Sequence, residues 1–280
     1  MEQLQLIDFL KYRYPSAVAL SPDGKRAAFA VKSIDPEQDC YAWSLWIYDL
    51  DAGTCTEVPG GTGQRKAVWD DSAHLLIIER QPDPELLAQG IEASWSTLSR
   101  LDPASGEKEQ LFRLPVHAAG VWPAGNGTYI ITAETHLDQP NLLTMEPEER
   151  AREAARRLHT KGYKTLTELP LCENGVGMYN QTRNTLFLID QNGTLRQLTA
   201  DDWDVNRVSV EGGRVLFTAF PFRDVKPVTE GMYLWTAEQG EVRTLITPDK
   251  YSIDFVGFCG GRALCLGLVM KDYGVYEHPT

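Results

Sequence analysis

The sequence has no apolar run approaching the ~20 residues that a membrane-crossing helix needs, and its opening residues lack the basic-then-apolar order of a signal peptide. The expected location is therefore the cytoplasm, with no membrane partner. No cluster of lysine and arginine occurs either. With 27 basic against 39 acidic residues, the formal net charge of −12 repels nucleic-acid phosphates and argues against DNA or RNA as a partner. Cysteine is scarce: Cys40, Cys55, Cys172, Cys259 and Cys265 are an odd set of five without a C-x-x-C pair, which excludes a zinc knuckle or a redox motif. Buried, unbridged thiols are expected of them.

The signatures of catalysis are missing too. Serine hydrolysis needs a nucleophile on a sharp strand-to-helix turn, and no G-x-S-x-G pentapeptide exists. Ser94, Ser96 and Ser99 read as strand serines. His74, His117, His136, His159 and His278 stand far apart and form no HExxH or H-x-H pair, so no metal is expected. Gly60-Gly61 and Gly212-Gly213 fall between strands rather than between a strand and a helix, so they cannot cradle phosphate and no cofactor is expected. The acid pairs Asp70-Asp71, Asp201-Asp202 and Glu148-Glu149 fall in turns or at a helix start. Of the N-x-T triplets at Asn126, Asn180 and Asn192, the first and last are Asn-Gly turns.

What the sequence does contain is a repeat. In its clearest copy Ser16–Leu20 is an apolar strand, Ser21-Pro22-Asp23-Gly24 a turn, and Lys25–Val31 a second strand. After a polar link, Trp43–Leu50 is a third strand and Thr54–Val58 a short fourth. The same order recurs, giving units of residues 14–60, 61–116, 117–200 and 201–250 and a partial fifth over 251–280 that stops near Tyr273–Glu277. A meander of four strands repeated every 45–50 residues is the period of propeller blades. One such sheet cannot bury both its faces, so neighbours must stack around an axis. The expected fold is all-β, a β-propeller of four-stranded antiparallel blades, four complete and a fifth partial. A β-sandwich of similar hairpins is the alternative.

Second-to-third strand links are the long ones, at 32–42, 81–94, 135–184 and 220–231, while the other turns are short. One face of the propeller is thus elaborated, as a face with a partner or substrate is. Residues 146–160 of the third unit, rich in helix formers with glutamates early and arginines late, predict a short helix, either docking or gating or simply solvated. The tryptophans recur beside first strands (Trp69, Trp122, Trp203) and in or near third strands (Trp43, Trp46, Trp95, Trp235), which predicts packing between sheets rather than ligand stacking.

Tyr14–Phe29, with its Ser-Pro-Asp-Gly turn, and Ser44–Asp49 resemble the opening blade of the acylaminoacyl-peptidase and dipeptidyl-peptidase branch of the prolyl oligopeptidase family. Glu168-Leu169-Pro170, Asn174-Gly175-Val176-Gly177, Leu186–Asp190 and Arg196–Thr199 are similar to its middle blades. The resemblance implies a propeller that caps a C-terminal α/β-hydrolase domain, admits only short peptides and leaves the catalytic triad to that hydrolase. This sequence ends at Thr280 inside the fifth unit, so the hydrolase is expected outside this chain and no catalytic residue is carried over. The expected role is substrate filtering and domain docking by a serine peptidase's non-catalytic segment; a stand-alone module binding proteins or peptides is the alternative. Candidate contacts to substrate or hydrolase are Arg80, Asn174 and Arg223, at the ends of second strands or in the long links of the elaborated face. A partial blade leaves an open edge, which Leu4–Phe9 would fill as a strand or a second copy would fill as a homodimer.

Overall fold

A computed structural model describes residues 5–163, 165–170, 172–173, 177–178 and 180–270. Among the described residues four four-stranded antiparallel sheets and a final two-stranded sheet follow one another along the chain, with a second two-stranded ribbon in a link of the third. The first is β1 (Tyr14–Leu20), β2 (Arg26–Asp35), β3 (Cys40–Asp49) and β4 (Thr54–Glu57). The second is β5 (Val68–Trp69), β6 (Leu75–Pro82), β7 (Ser94–Leu101) and β8 (Lys108–Leu114). The third joins β9 (His117–Gly125) and β10 (Thr128–His136), across a long link holding the ribbon β11 (Cys172–Glu173) and β12 (Gly177–Met178), to β13 (Thr182–Ile189) and β14 (Leu195–Gln197). The fourth is β15 (Trp203–Glu211), β16 (Arg214–Pro221), β17 (Gly231–Thr236) and β18 (Val242–Ile246), and the fifth is β19 (Tyr251–Cys259) with β20 (Arg262–Val269).

Two compact units result, residues 1–79 with 97–113 and residues 80–96 with 114–280. In the first unit the Ser21-Pro22-Asp23-Gly24 turn sets the opening hairpin. Ser21 Oγ donates to Asp23 Oδ1 at 2.6 Å and accepts from Arg26 N at 2.9 Å, while Gly24 takes the left-handed φ of +72° that a residue with a Cβ avoids. On β2 the small Ala28 and Ala30 lie opposite Ile47 and Leu45 of β3, leaving room for Trp69, Leu75, Ile77 and Leu101 of the second sheet to pack on them. Trp69 satisfies its indole N–H on Ala19 O at 2.9 Å, so its ring is buried without leaving a polar atom unpaired.

The second unit applies the same rule on a larger scale. Along β16, Val215, Phe217 and Ala219 face the third sheet and pack with Ile130, Leu186, Tyr233 and Trp235. The alternate Leu216 faces the fifth sheet and packs with Met232, Ile253 and Val256. Trp203 lies 4.3 Å from the Tyr233 ring, and Trp122 packs on the same cluster, as the recurring tryptophans predict. The first strands β1, β9, β15 and β19 each carry a register shift against their partners, a bulge that bends the strand and flips the residues beyond it to the other face.

Several expectations are corrected. The first link is not a long loop: β2 and β3 extend as a ladder to Asp35 opposite Cys40, turned by Asp35 Oδ1, which accepts from the amides of Glu37 and Gln38. The N-terminal segment forms a 3-10 helix over Leu6–Lys11, capped by the exchange between Gln5 and Asp8, and adds no strand to any sheet. The cysteines are unbridged but not buried. Cys40, Cys55, Cys172 and Cys259 are exposed, because the edge strand β4 and the strand ends that carry the others have no sheet stacked over them. Tyr273–Glu277 lies outside the described residues.

Phe217 has no exposed surface and stands between two sheets. Phe217→Ala is expected to lower the unfolding free energy of the second unit by about 3–5 kcal/mol, measured by denaturant titration. A loss below about 1 kcal/mol would mean that the two sheets do not depend on each other's side chains.

Candidate functional site

In the second unit three links between second and third strands interlock. The first holds the short helix α1 (Pro84–Ala88), started by Pro84 and by Asp83, whose carboxylate accepts from Leu86 N at 3.1 Å. The second holds α2 (Pro147–Thr160), with Glu148 and Glu149 in its first turn and Arg157 and His159 in its last, the arrangement that its dipole favours. Ala154 of α2 and Leu142 pack on Leu86 and Ile91 in a small apolar cluster separate from the cores between sheets. Arg150 reaches Asp83 at 3.1 Å and Glu85 at 3.4 Å, and Lys161 Nζ donates to Gly90 O at 3.1 Å. The predicted helix is therefore present and docked on its neighbouring link.

The third link, residues 222–230, is tied to the second by backbone. Leu169 N donates to Asp224 O and Lys226 N to Leu169 O, both at 2.8 Å. Beneath this seam lies a buried ion pair. The Arg183 guanidinium, with no exposed surface, bonds both oxygens of Glu168, the carbonyls of Thr182 and Phe222, and stacks 3.8 Å from the Phe222 ring. Glu168 Oε2 also accepts from Gln181 N at 2.7 Å, so nearly every polar atom of the pair is satisfied, apart from Arg183 Nε.

A cavity of about 830 Å³ opens in the same unit, walled by the α1 and α2 links and by the ends of β9 and β10. Its polar wall is a cluster that the sequence spacing conceals. Glu134 lies opposite His117 across the β9–β10 ladder, His136 follows two residues on along the same face of β10, and Thr182 lies opposite His136. His136 Nε2 stands 3.5 Å from Glu134 Oε1, and its Nδ1 is 3.3 Å from Thr182 Oγ1. The bulge near Ala119 makes this possible, since without it the ladder would bring His117 opposite Thr135, on the other face. The only sequence signal was the hairpin around Asn126, folded with that one-residue shift.

The hydrogen bond from His136 holds the Glu134 carboxyl below its ordinary value against the opposing effect of burial, and the charges of His117, His136 and Arg80 act in the same direction as the hydrogen bond. Burial pushes the His117 imidazole down, Arg80 and His136 push it further, and Glu134 opposes them. Neutral pH therefore sets an ionised carboxylate beside a neutral imidazole. Ser94 borders the cavity, but among the described residues it has no hydrogen bond to either imidazole, so neither polarises its hydroxyl. Among the described residues no group of three or more His, Cys, Asp or Glu is placed to hold a metal ion, and no helix is long and apolar enough to cross a membrane.

Of the three residues singled out in the sequence, Arg80 on β6 is exposed and acts electrostatically on His117 and Glu134. Arg223 is 80% exposed, pairs with Asp202 at 3.3 Å and does not line the cavity. Asn174 lies outside the described residues.

Two titrations follow from these charges. The His117 imidazole is expected to titrate below 6.5, moving up in Arg80→Gln and further down in Glu134→Gln, as read from its ring proton shifts against pH. Because its folded-state value is depressed, the unfolded chain takes up that proton first, so the fold loses stability as pH falls below 6.5. A midpoint indifferent to Arg80 would remove Arg80 from the site. Glu153 of α2 is drawn from 4.5 to about 2, chiefly by its hydrogen bond to Arg156 and then by Arg157, against the effect of burial. Its contribution to holding α2 is present above pH 4.5 and lost as pH falls towards 2. Hydrogen exchange of α2 should accelerate over that window, and Glu153→Gln should abolish the dependence.

No protein-family model and no curated protein sequence matches the chain. Solved structures do. The β-propeller domain of the trilobed protease from Pyrococcus furiosus, described as having an open velcro topology, matches with a TM-score of 0.53 at 14% identity, over 92% of this chain and 64% of that one. Acylaminoacyl peptidase from Pyrococcus horikoshii matches in two structures with TM-scores of 0.51 and 0.52 at 9% identity, over 93% of this chain and 44% of the peptidase. This chain thus spans less than two thirds of either protein. At such identities likeness establishes architecture rather than activity, and the architecture of this chain is that of a β-propeller.

Proposed function

We propose that this chain is the non-catalytic propeller segment of a serine peptidase, and that its link-bearing face filters short peptides and docks against an α/β-hydrolase domain. The observation that carries the reading is the interlocking of three long links, two of which wall one cavity with a mixed polar and apolar lining. Short turns at the other strand ends need no such elaboration, and concave sites of 300–1,000 Å³, of order the cavity here, are the usual size for small-ligand recognition. The likeness to the propeller of one protease and to an acylaminoacyl peptidase supports the same reading. On this reading bond cleavage belongs to the hydrolase. Among the described residues β20 pairs with β19 alone, and its other edge is then where a further strand, from this polypeptide or a second copy, would add.

Titrating isotope-labelled chain with tri- to hexapeptides should shift resonances of His117, Glu134, Thr135 and Leu142, with no peptide hydrolysis by the chain alone. Cleavage by the purified chain, or shifts confined to other surfaces, would contradict the proposal.

A further inference from the structure

The charge distribution of the cavity goes a step beyond the peptide reading, on which it rests, and names the side chain selected. Glu134 is ionised and 48% exposed towards the cavity. Among the described residues no lysine or arginine forms an ion pair with it. His117 is held towards its neutral form, and among the described residues no hydrogen bond or ion pair joins Arg80 to Glu134, although Arg80 acts on it at longer range. Among the described residues its ion-pair partner is His136, at 3.5 Å. The guanidinium on the cavity wall, Arg157, is already committed to Glu153 at 2.9 Å and to Pro140 O at 2.5 Å. The remaining ionisable wall residues, Glu92 and Asp201, are acidic. Leu142 and Leu143 give the cavity apolar lining.

We propose that the cavity takes the side chain of a lysine or arginine in a bound peptide, its cation at Glu134 and its methylene stem along Leu142 and Leu143. Long basic side chains suit such a pocket because the stem gains from apolar burial while the head stays polar. A partly buried carboxylate without a permanent counter-ion gains most from a ligand that brings one. An acidic side chain would meet like charge in the same place.

The test compares short peptides that are identical except at one position, occupied by lysine or by its uncharged isostere norleucine, using calorimetry on the whole chain. The lysine peptide is expected to bind about tenfold tighter or more. Glu134→Gln should bring its affinity down to that of the norleucine peptide, whereas Arg80→Gln, which removes a competing positive charge, should tighten it. That opposite response separates a ligand-binding carboxylate from one that merely supports the strand, and circular dichroism checks that both variants fold. Equal affinity for the two peptides, a preference that survives Glu134→Gln, or weakening by Arg80→Gln would overturn the inference while leaving the peptide reading intact. If no short peptide binds, both fall together.

Discussion

Every other feature of this molecule depends on one constraint, that most of its sheets are apolar on both faces and so cannot be stable singly. β16 states it most directly, with Val215, Phe217 and Ala219 directed one way and Leu216 the other. Fully burying a side chain of this kind gains about 1.5–3 kcal/mol, and the entropy of fixing the backbone consumes most of such gains. A sheet exposed on one side would forfeit a large part of them. Stacking is therefore what makes the strands fold, and the turns and links are free to vary because they lie outside the stack.

That freedom is used unevenly. The turns between first and second strands are short and locally determined, as at Ser21-Pro22-Asp23-Gly24, where two side-chain hydrogen bonds and one left-handed glycine suffice. The long links cannot rely on local chemistry and are held instead by one another. Their ties include an apolar cluster, the Arg150–Asp83 pair and the Arg183–Glu168 pair. The last is costly to bury, since each ion loses its hydration, and only the near-complete set of hydrogen bonds around it offsets that cost. Such a pair adds little net stability over apolar residues, but it accepts only one arrangement of the links that meet on it.

Rigid links make the cavity's electrostatics specific. Glu134 lies below its ordinary value chiefly through the hydrogen bond from His136 and His117 below its own chiefly through burial, and Arg80, held at the end of β6, acts on both in the same direction. In a mobile loop the same groups would be solvated separately and would show nothing unusual. The site sets the Glu134 carboxylate and two imidazoles in a cavity that Leu142 and Leu143 also line, and the fold by itself does not say what such a site does.

The repeat, the all-β class, the helix at 147–160 and the packing of the recurring tryptophans were legible in the amino-acid order, because each rests on local periodicity or local turn chemistry. What the order did not reveal was which residues meet. His117 and Glu134 are 17 positions apart, and a single bulged residue decides whether they share a face. Cysteines expected inside lie outside for a related reason: period-two alternation says which residues share a face, but only the stacking of the next sheet says whether that face is covered. Local sequence thus determined the strands and their turns, and tertiary structure alone decided register and coverage, because both depend on atoms contributed by distant parts of the chain.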